Sequence, residues 1–170
     1  LCTSGSAGGH YLPALIEATQ SHLPMVVLTA DRPWEAYDAA ASQTIDQVKL
    51  FGDYVRHYAE LGLPDARPGA LAAVVRIATQ AVAYSLAPQP GPVHVNARFR
   101  KPLEPVGSPH EEPFHAELAA RLASGAPRVF SARVTPDTPV DADALRSLAL
   151  LCRERPRGLI VAGPAWAGSD

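Results

Sequence analysis

Pro24-Met25-Val26-Val27-Leu28-Thr29-Ala30 is a short, continuous apolar run rich in β-branched residues. That is the pattern of a strand buried on both faces of a parallel sheet. Gly91-Pro92-Val93-His94-Val95-Asn96 repeats it later in the chain. Helical periods lie before and between them. Leu12, Leu15, Ile16 and Thr19 recur at helical spacing within residues 12–21, and Pro13 fits only the first turn. From Pro68 to Leu86, the residues Leu71, Val74, Val75, Ala78, Val82 and Leu86 line one predicted helical face. Tyr54–Ala59 reads as a strand by its aromatics and valine, and Leu1-Cys2-Thr3 as the tail of another. Lys49-Leu50-Phe51 is expected to end a short helix at Gly52. Strand and helix thus alternate over residues 1–96, which predicts the α/β class: a mostly parallel sheet with flanking helices.

Composition changes after Asn96. Prolines including Pro105, Pro109, Pro113, Pro127 and Pro136 crowd the next stretch, interrupted by one predicted helix from Phe114 to Ala123. This pattern suits a connector crossing a surface. A helix from Asp141 to Cys152, with an aspartate at its N-terminus, then leads to a predicted strand over Leu159–Ala162. The expected division is 1–103, a proline-rich connector at 104–139, and the opening of a second α/β domain at 140–170. The chain starts inside an apolar stretch, and its one methionine is Met25. It is expected to be a piece of a longer protein.

At 47% hydrophobic and 19% charged residues, the chain is neither disordered nor fibrous. A net charge of −2 argues against a nucleic-acid surface. No apolar run approaches the ~20 residues of a membrane span, and no signal peptide is evident. Cys2 and Cys152 match no metal or disulfide spacing, so a cytoplasmic setting is expected.

Ligands of open parallel sheets collect at the carboxyl ends of the strands. Two loops leave strands there. Ser4-Gly5-Ser6-Ala7-Gly8-Gly9 is either a ligand-cradling turn, with N–H groups at a helix start, or a tight turn with serine caps. Arg32 follows a strand immediately, between Asp31 and Pro33. Its guanidinium suits bidentate capture of a carboxylate or phosphate, or else clamps the loop to Asp31. Gln43 could hydrogen-bond a substrate oxygen or simply face water. His10 could serve as a base for Ser4 or Ser6 or else be a surface or capping residue at a helix start, and the other histidines show no metal-ligand spacing. There is no Walker loop and no complete G-x-G-x-x-G.

These same residues carry a resemblance. Thr3-Ser4-Gly5-Ser6-Ala7 through Leu12-Pro13-Ala14-Leu15-Ile16-Glu17-Ala18 resembles the T-S-G-T-A…Y-P-A-x-x-E-A segment of one thiamine-diphosphate enzyme family. That family is the menaquinone-pathway 2-succinyl-5-enolpyruvyl-6-hydroxy-3-cyclohexene-1-carboxylate synthases (MenD). Leu28-Thr29-Ala30-Asp31-Arg32-Pro33-Trp34-Glu35 resembles its L-T-A-D-R-P-P-E. Ala41-Ser42-Gln43-Thr44-Ile45-Asp46-Gln47 resembles A-N-Q-x-I-x-Q, followed by L-F-G at Leu50-Phe51-Gly52. Gly91–Asn96 and Phe99–Leu103 are similar to G-P-V-H-L-N…F-R-E-P-L. The chain departs from the pattern at Ser6, His10, Trp34, Ser42 and Ala97-Arg98, the last standing where Val-Pro is usual.

The resemblance implies a transferase of aldehyde or ketone residues. It would decarboxylate 2-oxoglutarate on thiamine diphosphate with Mg²⁺ and add the succinyl-semialdehyde unit to isochorismate. It implies that Arg32 and Gln43 bind substrate, and that Ser4, Gly5 and Ser6 lie beside the cofactor's aminopyrimidine ring. Residues 1–103 would then be the C-terminal part of the pyrimidine-binding domain, and 140–170 the start of the central domain. No catalytic residue and no metal ligand falls within the chain, since the cofactor-activating glutamate lies upstream in the family. A homo-oligomer, dimer or tetramer, is implied for the parent. The chain by itself is expected neither to hold the cofactor tightly nor to turn over substrate. Two alternatives stand beside this: another thiamine-diphosphate decarboxylase or carboligase of the acetolactate-synthase kind, and a non-catalytic structural module.

Overall fold

The computed structural model describes residues 1–65, 67–104, 111–124, 141–155, 157–159 and 161. The chain forms two compact units, Leu1–Ala132 and Arg133–Asp170. In the first, β1 (Met25–Asp31), β2 (Tyr58–Glu60) and β3 (Pro92–Arg98) make a parallel sheet in the order β1-β3-β2. Cys2 continues it beside β1 by a parallel bridge to Thr29, accepting from the Ala30 N–H at 3.0 Å. Helices α1 (Leu12–Gln20) and α2 (Pro68–Leu86) flank the sheet. The expected α/β class is what the chain adopts.

Side chains alternate across a strand, and the register assigns them to faces. Val27 pairs with His94, Thr29 with Asn96 and Asp31 with Arg98. On that face Leu15 of α1, Val27 and Phe51 form a buried cluster with Tyr11, Leu12, Leu50 and Val55 against it. On the other face Ala81 of α2 seats on Val93 and Val95, with Leu28 and Leu61 beside them. Strand β3 is buried at every position, as a central parallel strand requires. Strand β1 is not buried on both faces as expected, because Met25 and Val26 at its start are exposed.

Several expectations need correction. No helix ends at Gly52; instead a 3₁₀ turn, Gly52–Tyr54, begins there. The preceding loop has left-handed backbone at Asp38, Ala40, Gln43 and Lys49, and it buries Gln47 and Phe51 as anchors on the sheet. Its shape follows those anchors, not a helical period. The strand predicted over Tyr54–Ala59 is reduced to Tyr58–Glu60, because Gly52–Tyr54 is turned. Residues 5–9 are not a simple turn but part of a 3₁₀ helix, Gly5–Tyr11, that runs into α1.

Helix α2 has its predicted bounds but a different inward face. Ala81 and Ser85 are buried, whereas Val74, Val82 and Leu86 are exposed, since small residues let a crossover helix lie close to the strands. The stretch Gly69–Leu86 is also long and apolar enough, by length and composition only, to cross a membrane, which the run-length reading of the sequence overlooked.

Beyond β3, α3 spans Glu111–Ala123. Residues 105–110 and 125–140, with most of the predicted connector prolines, lie outside the described residues. In the second unit α4 covers Ala142–Glu154, and the Asp141 carboxylate caps it by accepting from the N–H groups of Asp143 and Ala144 at 2.9 and 3.2 Å. Of the strand predicted over Leu159–Ala162, Leu159 and Val161 are not in a strand, while Ile160 and Ala162 lie outside the described residues.

Candidate functional site

Parallel pairing brings the carboxyl ends of β1, β2 and β3 to one edge, and there the α1-side face turns polar. Register stacks the side chains in rows: Val27–His94–Tyr58, then Thr29–Asn96–Glu60, then Asp31–Arg98. His94, Asn96 and Thr29 are wholly buried, so each needs a partner within the protein. The Asn96 amide donates to Asp31 Oδ2 at 2.8 Å and Glu60 Oε1 at 3.0 Å. Its Oδ1 accepts from the Thr29 hydroxyl at 2.7 Å and from Gln47 Nε2 at 3.0 Å. With its proton committed to Asn96, Thr29 can only accept from His94 Nε2, 2.8 Å away. The carboxylates therefore fix the histidine tautomer through two intermediates. His94 Nδ1 is left bare and buried. Burial pushes this imidazole down to about 4, against the raising influence of Glu60 and Asp31. Tyr58, which donates to Glu60 Oε1, is driven well above the usual phenol value by burial and by that carboxylate.

Arg98 tops the stack at 1% exposure. Its guanidinium pairs with Asp31 Oδ2 at 2.9 Å and Glu60 Oε1 at 3.1 Å. The Trp34 ring lies over it, 3.6 Å from guanidinium carbon to ring centroid. Burial works against its charge, but hydrogen bonds to Tyr37 and Glu60 and the charges of Asp31 and Glu60 raise its pKa. Trp34 and Arg98, two of the departures from the family pattern, thus meet face to face.

Arg32 lies just outside this network. Asp31 Oδ1 takes its backbone N–H at 2.7 Å and Arg98 Nη1 donates to its carbonyl at 2.9 Å. Its guanidinium pairs with no carboxylate among the described residues; Nε is buried without a partner, and Nη2 makes one long contact, 3.4 Å, to Gln43 Oε1. The side-chain clamp between Asp31 and Arg32 is therefore not what holds the loop: Asp31 binds the backbone of Arg32 and the side chain of Arg98.

The Ser4–Ser6 turn meets the same place. Gly5 has φ +81° and sits so close to Gln43 that an added Cβ would lie 3.2 Å from the Gln43 Cα, so glycine is required twice over. Its N–H donates to Gln47 Oε1 at 2.7 Å. Ser4 is buried and its hydroxyl makes no capping bond, while Ser6 is exposed. All five residues singled out in the sequence, Ser4, Gly5, Ser6, Arg32 and Gln43, belong to two loops that touch. Asn96, Glu60, Arg98 and Gln47, which join these loops to the sheet, were not singled out in the sequence. For Asn96 and Arg98 the signal was the polar alternation His94, Asn96, Arg98 inside an otherwise apolar strand; Glu60 and Gln47 carried none in the sequence.

The turn offers small, uncharged residues suited to a flat neutral ring, and the orphaned Arg32 Nε suits an anionic oxygen. Among the described residues no group of three His, Cys, Asp or Glu could hold a metal ion.

No protein-family model matches the chain. Curated relatives do. The 2-succinyl-5-enolpyruvyl-6-hydroxy-3-cyclohexene-1-carboxylate synthase of Sorangium cellulosum is 59% identical over 170 residues, covering 100% of this chain and 27% of that protein. The protein of the same name from Haloarcula marismortui is 42% identical over 175 residues, 99% of this chain and 29% of its own length. That of Myxococcus xanthus is 41% identical over 165 residues, 96% and 28%. The chain spans less than a third of the length of each of these relatives.

Proposed function

We propose, from a chain homologous over its whole length to one section of the 2-succinyl-5-enolpyruvyl-6-hydroxy-3-cyclohexene-1-carboxylate synthase family, that it supplies part of the active site of such an enzyme. The parent would be a thiamine-diphosphate- and Mg²⁺-dependent transferase of menaquinone biosynthesis, joining a decarboxylated 2-oxoglutarate unit to isochorismate in the cytoplasm, as a homo-oligomer. Residues 1–103 would be pyrimidine-domain sequence, 104–139 connector and 140–170 the opening of the central domain. The cofactor, when bound, supplies the electron sink for loss of CO₂ from a 2-oxo acid.

This chain's own residues do less, but specific, work. Ser4, Gly5 and Ser6 would form the neutral wall beside the aminopyrimidine ring, held in place by Gln47 through the Gly5 N–H. Arg32 would bind a substrate carboxylate, and Gln43, in contact with it, would accept from or donate to a second polar group. Diphosphate, metal and the activating carboxylate would come from elsewhere in the parent, so the chain alone would be inactive.

One observation carries this: a partly buried guanidinium at the carboxyl edge of a parallel sheet, with a desolvated N–H and no carboxylate partner among the described residues. Charge-assisted bonds contribute ~1.5–3 kcal/mol, more when desolvated. Arg32→Ala in the full-length synthase is therefore expected to lower kcat/KM about 10²-fold. Steady-state kinetics that leave kcat/KM unchanged would remove Arg32 from the site.

A further inference from the structure

The ion-paired stack beneath Arg32 plays no direct part in that proposal. We propose that Arg98 is a positioning residue that keeps the Arg32 guanidinium free for its ligand, an inference that rests on Arg32 being the carboxylate site. The backbone of Arg32 is held on both sides by one ion pair. Asp31 Oδ1 accepts its N–H at 2.7 Å, and Arg98 Nη1, itself 2.9 Å from Asp31 Oδ2, donates to its carbonyl at 2.9 Å. The direction in which the Arg32 side chain leaves the main chain is set by those two contacts.

Charge supplies the second half. Asp31 and Glu60 are two carboxylates at the edge of the sheet, and Arg98 bridges both. With the bridge in place neither needs Arg32, and its Nε stays unpartnered. Remove the bridge, and the buried Asp31 and the partly exposed Glu60 lose the one cation paired with them among the described residues, while the guanidinium of Arg32 is carried on the residue next to Asp31. Capture by them would compete directly with a substrate carboxylate. Lysine cannot replace Arg98 fully, because an ammonium lacks the planar fork that spans two carboxylates and a carbonyl.

The test is the kinetics of the full-length synthase with 2-oxoglutarate as the varied substrate. Arg98→Met is expected to raise KM about ten-fold or more, with a smaller fall in kcat. Adding Glu60→Gln, which removes one competing carboxylate, should bring KM back to within about three-fold of wild type. Arg98→Lys, which keeps the charge, should raise KM about two- to five-fold. An unchanged KM in Arg98→Lys, a loss confined to kcat, or a double variant no better than Arg98→Met overturns the role. If Arg98→Met does not fold, the double variant and Arg98→Lys decide the matter on the same criteria. Arg32→Ala separates the two layers: if it leaves KM unchanged, the carboxylate site itself is wrong. If it raises KM while both Arg98 variants leave KM alone, only the positioning role falls.

Discussion

Strand β3 has two halves interleaved along one backbone. Val93, Val95 and Ala97 face α2, whereas His94, Asn96 and Arg98 face the loop that carries Arg32. Both sets are buried, yet they contribute in opposite ways. The apolar set is non-directional, and each side chain adds stability roughly in proportion to the area it hides. The polar set is conditional: each member is favourable only while every neighbour keeps its place. Burial alone therefore does not distinguish a structural half-strand from one that shapes a site. The partners do.

The sharpest way to break this comparison is at Asn96, whose amide serves four partners. Asn96→Leu keeps the branched shape but takes the acceptor from the Thr29 hydroxyl proton and from one Gln47 N–H, and it strips a donor from each of Asp31 and Glu60. Unsatisfied buried groups cost ~1–3 kcal/mol each, with partial relaxation, so about 4 kcal/mol is expected. Urea unfolding of the chain measures it. A loss below about 1 kcal/mol would mean that the network does not behave as a unit.

His94 gives the next effect, and it depends on pH. In the unfolded chain its imidazole titrates near 6.5, whereas in the fold it stays neutral down to about 4. Between those values the unfolded state binds a proton that the folded state refuses, so stability falls as pH falls. The contribution is complete above pH 6.5 and exhausted below pH 4, a loss on the order of 3 kcal/mol. Unfolding midpoints followed across that window, with the His94 ring titration read by NMR, check the sign and the size. A ring that protonates near pH 6.5 in the folded protein would sink the assignment of a buried, bare Nδ1.

How much of this was legible beforehand follows the same division. Apolar periodicity located β1, β3, α1 and α2, because the driving force behind those elements is written in residue type. It misjudged the seat of α2, since the helix is apolar nearly all round and only packing selects Ala81 and Ser85. Arg32, Gln43 and the Ser4–Ser6 turn were visible through strand-end position and motif. Their contact through Gly5 was not, because a left-handed Gln43 and a φ of +81° are properties of the folded loop. Arg98 was seen as a departure from a pattern and nothing more. Its meaning depends on Asp31, Glu60 and Trp34, which are distant in sequence and meet only once the strands are in register.

The smallest expected effect completes the comparison from the apolar side. Val95 lies one residue from Asn96 but on the α2 face, packed with Val93 and Ala81. Val95→Ala removes two methyl groups, at ~0.8 kcal/mol per buried carbon plus a modest cavity term, so about 2 kcal/mol is expected in the same urea unfolding. Nothing polar is stranded, so the loss should not depend on pH between 4 and 6.5. The Asn96 variant, by contrast, disturbs the very hydrogen bonds that fix the His94 tautomer, so its loss should change across that window. If Val95→Ala proved costlier than Asn96→Leu, or equally sensitive to pH, the two halves of β3 would not be energetically distinct. The polar rows would then be ordinary core with unusual residues, and Arg98 would lose its claim to hold the Arg32 loop.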